Sequence, residues 1–240
     1  MNIYAATQKG TGKVENEDRI IVGKTIISSG FFQTDENCSV IAIADGVGGN
    51  NAGAVASHFV ANKLCGLKTV SKESLTEINN ELLRLSVTST DLCGMATTLS
   101  GFCINDGMMS LFNVGNTRVY LLQSRKYLKQ LTVDDTTLQF LISTGQITEE
   151  ESKLFDRKNE ITSCFGGGKA SVFQIKINQT ERFTVPFMLT SDGVHDYLSP
   201  DLIEDIVEEH GISVESCKNI VACAKEKGSP DDISVILGEL

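Results

Sequence analysis

The sequence predicts an α+β fold in which antiparallel sheets pack together with helices on the outside. Three observations predict it. About ten short segments rich in Val, Ile and Phe are separated by turn signals, as strands of a layered sheet protein are. Two of the turns, "NDG" at 105–107 and "QSRK" at 123–126, read as hairpins, which build antiparallel rather than parallel sheet. Two helical patterns lie early in the chain and two late, an arrangement that puts helices outside packed sheets.

The elements follow in order. Strands are expected at 2–7, 19–23 and 38–44. A helix comes next, because Ala52, Val55, Ala56, Phe59, Val60 and Leu64 recur at helical spacing and Gly66 stops it. Leu75, Ile78, Leu82 and Leu85 form the apolar stripe of a second helix. Strands at 96–104, 107–113, 117–123 and 126–131 make consecutive hairpins. The stretch 132–169 is polar and helical and interrupts the strand pattern, and Thr148 to Glu151 has capping-box spacing. An insertion of this kind is often a lid or a recognition flap. Strands at 171–178 and 186–191 lead to Ser199-Pro200, the N-cap and first residue of a helix that ends at Gly211. A final helix from about Ser213 to Lys227 places Val214, Cys217, Ile220, Val221 and Ala224 on one face and stops at Gly228, before a strand at 233–238. With no repeat, no proline-rich linker and three prolines in all, the chain is read as one domain over 1–240.

Composition narrows the function. A formal net charge of −10 opposes a general nucleic-acid surface, which needs clustered Lys and Arg, and requires a local cation to draw in any anionic substrate. No apolar run reaches the roughly 20 residues that span a bilayer, and the N-terminus lacks the features of a signal peptide, so a cytoplasmic protein without membrane contact is expected. Seven cysteines, none in a C-x-x-C pair, fit that compartment; most, such as Cys38, Cys103 and Cys217, read as small core fillers.

The chemistry lies in the acids. "SVIAIADGVGGNN" delivers Asp45 from an apolar strand into a glycine-rich bend that matches neither a dinucleotide loop nor a Walker loop. Taken alone, Asp45 reads as a turn residue. The pattern recurs, however. "FMLTSDGVHD" ends a strand at Asp192, "GSPDDISVILGEL" sets Asp231 and Asp232 before the last strand, and "VENEDRIIVG" sets Glu17 and Asp18 before another. If these four strand–loop junctions converge, their acids must raise one another's pKa or recruit a cation. Oxygen ligands without Cys or His suit Mg²⁺ or Mn²⁺ rather than zinc. His58, His210 and His195 read as structural or solvated. Residue chemistry thus leads to a two-metal phosphoester hydrolase, with the acidic surface disfavouring a nuclease.

Eight motifs occur in one order over nearly the whole chain: "ENEDR", "ADGVGG", "GMATTLSGF", "NVGNTRVYLL", "QLTVDD", "ITSCFGGG", "LTSDGVHDYLS" and "PDDISVIL". In them the chain resembles the metal-dependent serine/threonine phosphatases of the PPM family, also called type 2C, in their compact bacterial form. The resemblance implies a four-layer α/β/β/α sandwich, two antiparallel sheets flanked by helix pairs, with 132–169 as the flap beside the active site. It implies two Mg²⁺ or Mn²⁺ ions bridged by Asp45, with the Gly46 carbonyl, Asp192 and Asp231 as further ligands and Glu17 and Asp18 binding directly or through water. The reaction implied is attack of a metal-bridging hydroxide on phosphoserine or phosphothreonine of proteins, without a phosphoenzyme. The expected substrates are those of a partner serine/threonine kinase, and the expected state is a monomer.

Four departures from the family pattern stand out. Lys13 occupies the position where the family has a phosphate-gripping Arg, and binds phosphate as a point charge without the planar fork. Asn116 replaces an aspartate that, with the residue matched by Asp196, holds a third ion, and its neutral oxygen predicts weaker binding there. Asp232 replaces the usual Asn beside a ligand, and Val47 stands where some members carry a His general acid, which would leave protonation of the leaving oxygen to water. Lys13, Asn116 and Asp232 motivate an alternative, a degenerate member that binds phosphoproteins or metal without turnover. The intact Asp18, Asp45, Asp192 and Asp231 argue against it.

Overall fold

The computed structural model describes residues 1–47, 52–105, 107–152, 155, 160–167 and 173–240. Among the described residues two six-stranded sheets and one small three-stranded sheet carry the fold, with every paired neighbour antiparallel. The first sheet runs in the order β11 (Tyr127–Gln130), β10 (Arg118–Gln123), β14 (Phe187–Thr190), β15 (Ile233–Glu239), β1 (Asn2–Gln8) and β4 (Gly30–Thr34). The second runs β13 (Lys176–Glu181), β9 (Met108–Val114), β8 (Leu99–Asn105), β5 (Val40–Ala44), β2 (Arg19–Val22) and β3 (Thr25–Ile27). The small sheet is β12 (Phe165–Gly166), β7 (Ala96–Thr97) and β6 (Gly46–Val47).

Strand periodicity explains the layers. Successive side chains of a strand point to opposite faces, and here both faces are buried. Ile41 and Ile43 of β5 enter the core between the two large sheets, with Ile20, Phe102, Phe187 and Ile236. Val40, Ala42 and Ala44 of the same strand face α1 (Ala52–Cys65) and α2 (Lys72–Ser86). On the other sheet, Val235 and Leu237 pack beneath α6 (Pro200–His210) and α7 (Val214–Glu226). Three apolar cores thus separate four layers, the α/β/β/α sandwich that the resemblance implied. Each fully buried Ile or Leu in them contributes about 1.5–3 kcal/mol.

The local signals act as expected. Ser199 Oγ accepts from the Leu202 amide at 3.4 Å and Gly211 closes α6 at φ 69°. Ser213 Oγ caps α7 through the Ser216 amide at 3.2 Å. At the "QSRK" turn Ser124 and Arg125 adopt φ of 51° and 62°, the left-handed pair that matches the twist of a hairpin. In the flap, which carries α3 (Thr137–Ser143) and α4 (Glu149–Ser152), the capping box forms: Thr148 N donates to Glu151 Oε2 at 2.7 Å and Glu151 N to Thr148 Oγ1 at 3.2 Å.

Three strand expectations change. The segment 96–104 breaks at Thr98, whose amide donates to the Asp45 carbonyl at 2.8 Å as the chain crosses from the small sheet into β8. The strand expected at 171–178 begins at Lys176 and runs on to Glu181, while residues 171–172 lie outside the described residues. The segments Thr25–Ile27 and Gly30–Thr34, where no strand is expected, are strands. The end of the glycine-rich bend, 48–51, and flap residues 153–154, 156–159 and 168–169 also lie outside the described set. Cys103 and Cys217 are buried as expected, but Cys38 is only partly so. Among the described residues no helix is long and apolar enough to cross a membrane.

Candidate metal-binding active site

Strand pairing brings the four acidic junctions to one end of the sandwich. Arg19 lies opposite Ala44 across β2 and β5, which sets Asp18 beside Asp45. In the other sheet Thr190 lies opposite Val235, and the Ser191 amide donates to the Ser234 carbonyl at 3.0 Å, which sets Asp192 beside Asp231 and Asp232. Asp192 then begins a short helix, α5 (Asp192–His195). Glycine permits the closest approaches. A Cβ on Gly46 would lie 2.5 Å from the Gly53 carbonyl oxygen in α1 and 2.8 Å from that of Glu17, and one on Gly193 would lie 2.1 Å from that of Asp232. Asn16 fixes the Glu17–Asp18 turn: its Nδ2 donates to Thr7 Oγ1 at 2.8 Å and its Oδ1 accepts from the Asp18 amide at 2.9 Å.

The acids feel one another strongly. Burial, then repulsion from Asp232, pushes the fully buried Asp18 up to about 7. Burial and the charges of Asp192, Asp18 and Asp231 hold Asp45 well above the usual carboxylate range. Asp192 is raised by burial and by Asp231. Both carboxylate oxygens of Asp18 and Oδ1 of Asp192 are buried with no hydrogen-bond partner. Ser191 and Ser234 stand near Asp18 and temper its shift, but their hydroxyls are engaged elsewhere, with the Asp232 carbonyl at 3.4 Å and Thr7 Oγ1 at 2.7 Å.

Lys13 is the cation within this cluster. Its Nζ lies 2.5 Å from Asp231, 3.1 Å from Asp232 and 3.2 Å from Glu17. Burial would lower its pKa, but the hydrogen bond and charge of Asp231, with Asp232 behind, carry it upward. Asp232 has a structural role that its sequence position did not reveal. Its Oδ1 accepts from the Gly10 amide at 2.7 Å, and its Oδ2 from the Glu17 amide at 2.8 Å and from Lys13. Its two oxygens clasp the 10–17 loop to the last strand and hold Lys13. Asp231 is the more exposed acid of the pair, and its Oδ2 accepts from no described residue.

Asn116 and Asp196 stand at the flap side. Asn116 Nδ2 donates to Asp192 Oδ2 at 3.1 Å, while its own Oδ1 is buried without a partner. Burial and the Asp192 charge lift Asp196 to about 6. His195, which sequence reasoning set aside, donates or accepts through Nδ1 with Thr190 Oγ1 at 2.8 Å, and burial holds it well below its ordinary pKa. The flap root is tied to this edge. Arg118 forks onto Asp134, Nε to Oδ2 at 3.0 Å and Nη2 to Oδ2 at 2.6 Å, and Asp135 Oδ2 accepts from the Gly115 amide at 3.0 Å. The motifs "NVGNTRVYLL" and "QLTVDD" marked these residues, but the pairing between them had no local signal.

Among the described residues no three carboxylate, His or Cys side chains close on one point as a ready cage. The donor set nevertheless fits hard divalent cations. Carboxylate oxygens buried without donors are costly unless a cation meets them. Mg²⁺-type ions keep several waters and need only one or two protein carboxylates each.

The protein phosphatase 2C family model matches residues 28–214. The chain is 29% identical to "Serine/threonine phosphatase stp" of Listeria monocytogenes serotype 4b, over all of this chain and 96% of that protein. Its structure superposes on that of the Mycobacterium tuberculosis serine/threonine phosphatase PstP/Ppp with a TM-score of 0.83 at 26% identity, covering 100% of this chain and 99% of that one. A second PstP structure, of the catalytic domain in complex with 2 manganese ions, matches with a TM-score of 0.75 at 26% identity over 99% of this chain and 98% of that one.

Proposed function

The chain belongs to the protein phosphatase 2C family, and we propose that it is a Mg²⁺- or Mn²⁺-dependent phosphatase acting on phosphoserine and phosphothreonine of proteins. The observation that carries the reading is the set of buried carboxylates, with the Asp18 and Asp192 oxygens unpartnered, where the four junctions meet. Asp45, the Gly46 carbonyl, Asp192 and Asp231 would hold two ions, with Glu17 and Asp18 binding directly or through water. When bound, the ions supply Lewis acidity, which acidifies water and offsets phosphoryl charge.

The chain's own groups do the rest. Asn116 steadies Asp192 by donating to Oδ2 and offers its unpartnered Oδ1, with Asp196, to a third ion. Asp232 fixes Lys13 at the rim, where its ammonium meets a phosphate. Arg118 and Asp134 anchor the flap beside that opening. The substrates are products of a serine/threonine kinase, and the four acidic junctions that would form the site all come from one copy of the chain, which favours a monomer.

Hydrolysis of an aryl phosphate and of a phosphothreonine peptide, in Mn²⁺, in Mg²⁺ and in chelator, tests the reading. Turnover is expected with metal, is lost on chelation, and falls about 10²-fold or more in Asp192→Asn. Turnover that survives both treatments would falsify it. Lys13→Arg is expected to lower KM for the aryl phosphate several-fold, because the guanidinium fork binds two phosphate oxygens. An unchanged KM removes Lys13 from phosphate binding.

A further inference from the structure

On the α1 side of the acid cluster lies a cavity of about 370 Å³ that the chemistry above does not use. Val55 and Phe59 of α1 and Leu85 of α2 make its apolar wall, and His58, Asn62 and Lys63 of α1 give it a polar side. Val55 is 39% exposed, an apolar residue turned outward on a helix whose other apolar residues face the core.

Arg19 also lines the cavity and is only 7% exposed. Along β2 it shares a face with Ile21, which packs into the helix-facing core, so its side chain runs toward α1. Nη1 donates to the carbonyls of Asn16 at 2.5 Å and Asp18 at 2.8 Å. Nε and Nη2 donate to no described residue. These donors line a space large enough for a guest.

The cavity continues from the catalytic end. Glu15 at its rim is two residues from Lys13, so their Cα atoms lie at most about 7 Å apart. On α1 the two are adjacent as well. A Cβ on Gly53 would lie 2.7 Å from Glu17 Oε1, and the next residues, Ala54 and Val55, line the cavity. An extended peptide rises about 3.3 Å per residue, so a residue two or three positions from one held in the cluster reaches this space.

We infer that this cavity is a subsite for the phosphoprotein substrate, taking an aliphatic or aromatic side chain within three positions of the phosphorylated residue while Arg19 donates to a backbone carbonyl of the same segment. The inference rests on the phosphatase reading. Apolar walls select the side chain. Glu15 already offsets the Arg19 charge and repels a carboxylate, which leaves a neutral carbonyl as the fitting acceptor.

A panel of phosphothreonine peptides on an alanine background, each with one Leu placed up to four residues to either side, tests it. One position within three residues is expected to raise kcat/KM at least 5-fold over the all-alanine peptide. In Val55→Asp, and partly in Val55→Ala, that gain disappears, so the ratio of kcat/KM for the best peptide to that for an aryl phosphate falls. Fluorescence anisotropy with the same peptides carrying a non-hydrolysable phosphonate, in Mn²⁺, reads affinity independently of turnover. A flat panel in turnover and affinity, or a Leu gain that survives Val55→Asp, overturns the subsite. Leu-dependent binding that Val55→Asp abolishes, in a wild-type protein that hydrolyses neither aryl phosphate nor peptide, overturns the phosphatase reading and keeps the subsite.

Discussion

Asp45→Asn is expected to lower kcat/KM on a phosphothreonine peptide by about 10³-fold, roughly 4 kcal/mol of transition-state stabilisation, while raising the melting temperature of the metal-free protein. The two effects have opposite signs and one origin. Asp45 is raised by burial and by Asp192, Asp18 and Asp231 together. Without a bound metal ion, Lys13 offsets only part of their repulsion. An amide of the same shape removes one of them and can donate to Asp192, whose Oδ1 lacks a partner. A gain of about 2 kcal/mol corresponds to roughly 4–8 °C for a chain of this length. Thermal melts in chelator and then in saturating Mn²⁺ check it. Wild type gains strongly from the ion and the variant little, so their order reverses. A variant that melts lower in chelator shows that the Asp45 carboxylate is stabilising in its own right. Undiminished turnover removes it from the site.

The layered fold was readable because its strands are buried on both faces: "VIAIA" at β5 and "ISVIL" in β15 are apolar whichever way each residue points. Edge strands were not. Gly30–Thr34 carries Phe31 at 60% exposure, with the Lys218 ammonium over its ring at 5.0 Å, and Thr25–Ile27 pairs on one side among the described residues. Neither shows an alternation that distinguishes strand from loop. The two-residue strands of the small sheet are shorter than any periodic signal.

In the site, each acid was legible as a strand-end residue, and the resemblance supplied the order. What no local pattern carried was the compensation. Asp232 looked like one negative charge too many, but it reaches across the chain to the Gly10 and Glu17 amides and holds Lys13. The Lys13 and Asp232 departures therefore form one ion pair. That pairing weakens the case for a degenerate member that was built on counting them separately. Arg19 has no local signal for its place, because it lines the cavity only once α1 is folded over it.

Metal-free protein is expected to lose stability as pH rises from about 4 to about 7, and bound Mn²⁺ is expected to restore most at the alkaline end. Asp18 has an ordinary pKa of 3.8 and a folded value of about 7, so between those values the folded state holds a proton that the unfolded state has released. Stability then falls with pH, because the slope follows protons bound in the unfolded state minus those bound in the folded state. For Asp18 alone the span is on the order of 4 kcal/mol. Asp45 and Asp192 shift in the same direction, and Asp196, more solvated, adds less. Lys13 does not reverse the trend: its folded pKa is raised, so its contribution is full and constant below about 10. Glu73 and Glu151, lowered by hydrogen bonds at their helix starts, act with the opposite sign at the acid end, which makes Asp18→Asn the necessary comparison, since it shares those titrations. In chelator, wild type should melt near the variant at pH 4, already below it at pH 5 and furthest below it at pH 7.5. Mn²⁺ at 1,000 times Kd adds about 4 kcal/mol to wild type at pH 7.5 and less at pH 5, where protons must leave first. Parallel melting curves for the two proteins across this range would mean that Asp18 titrates as an ordinary, solvated acid. The strained cluster of carboxylates would then not be what draws the ions in.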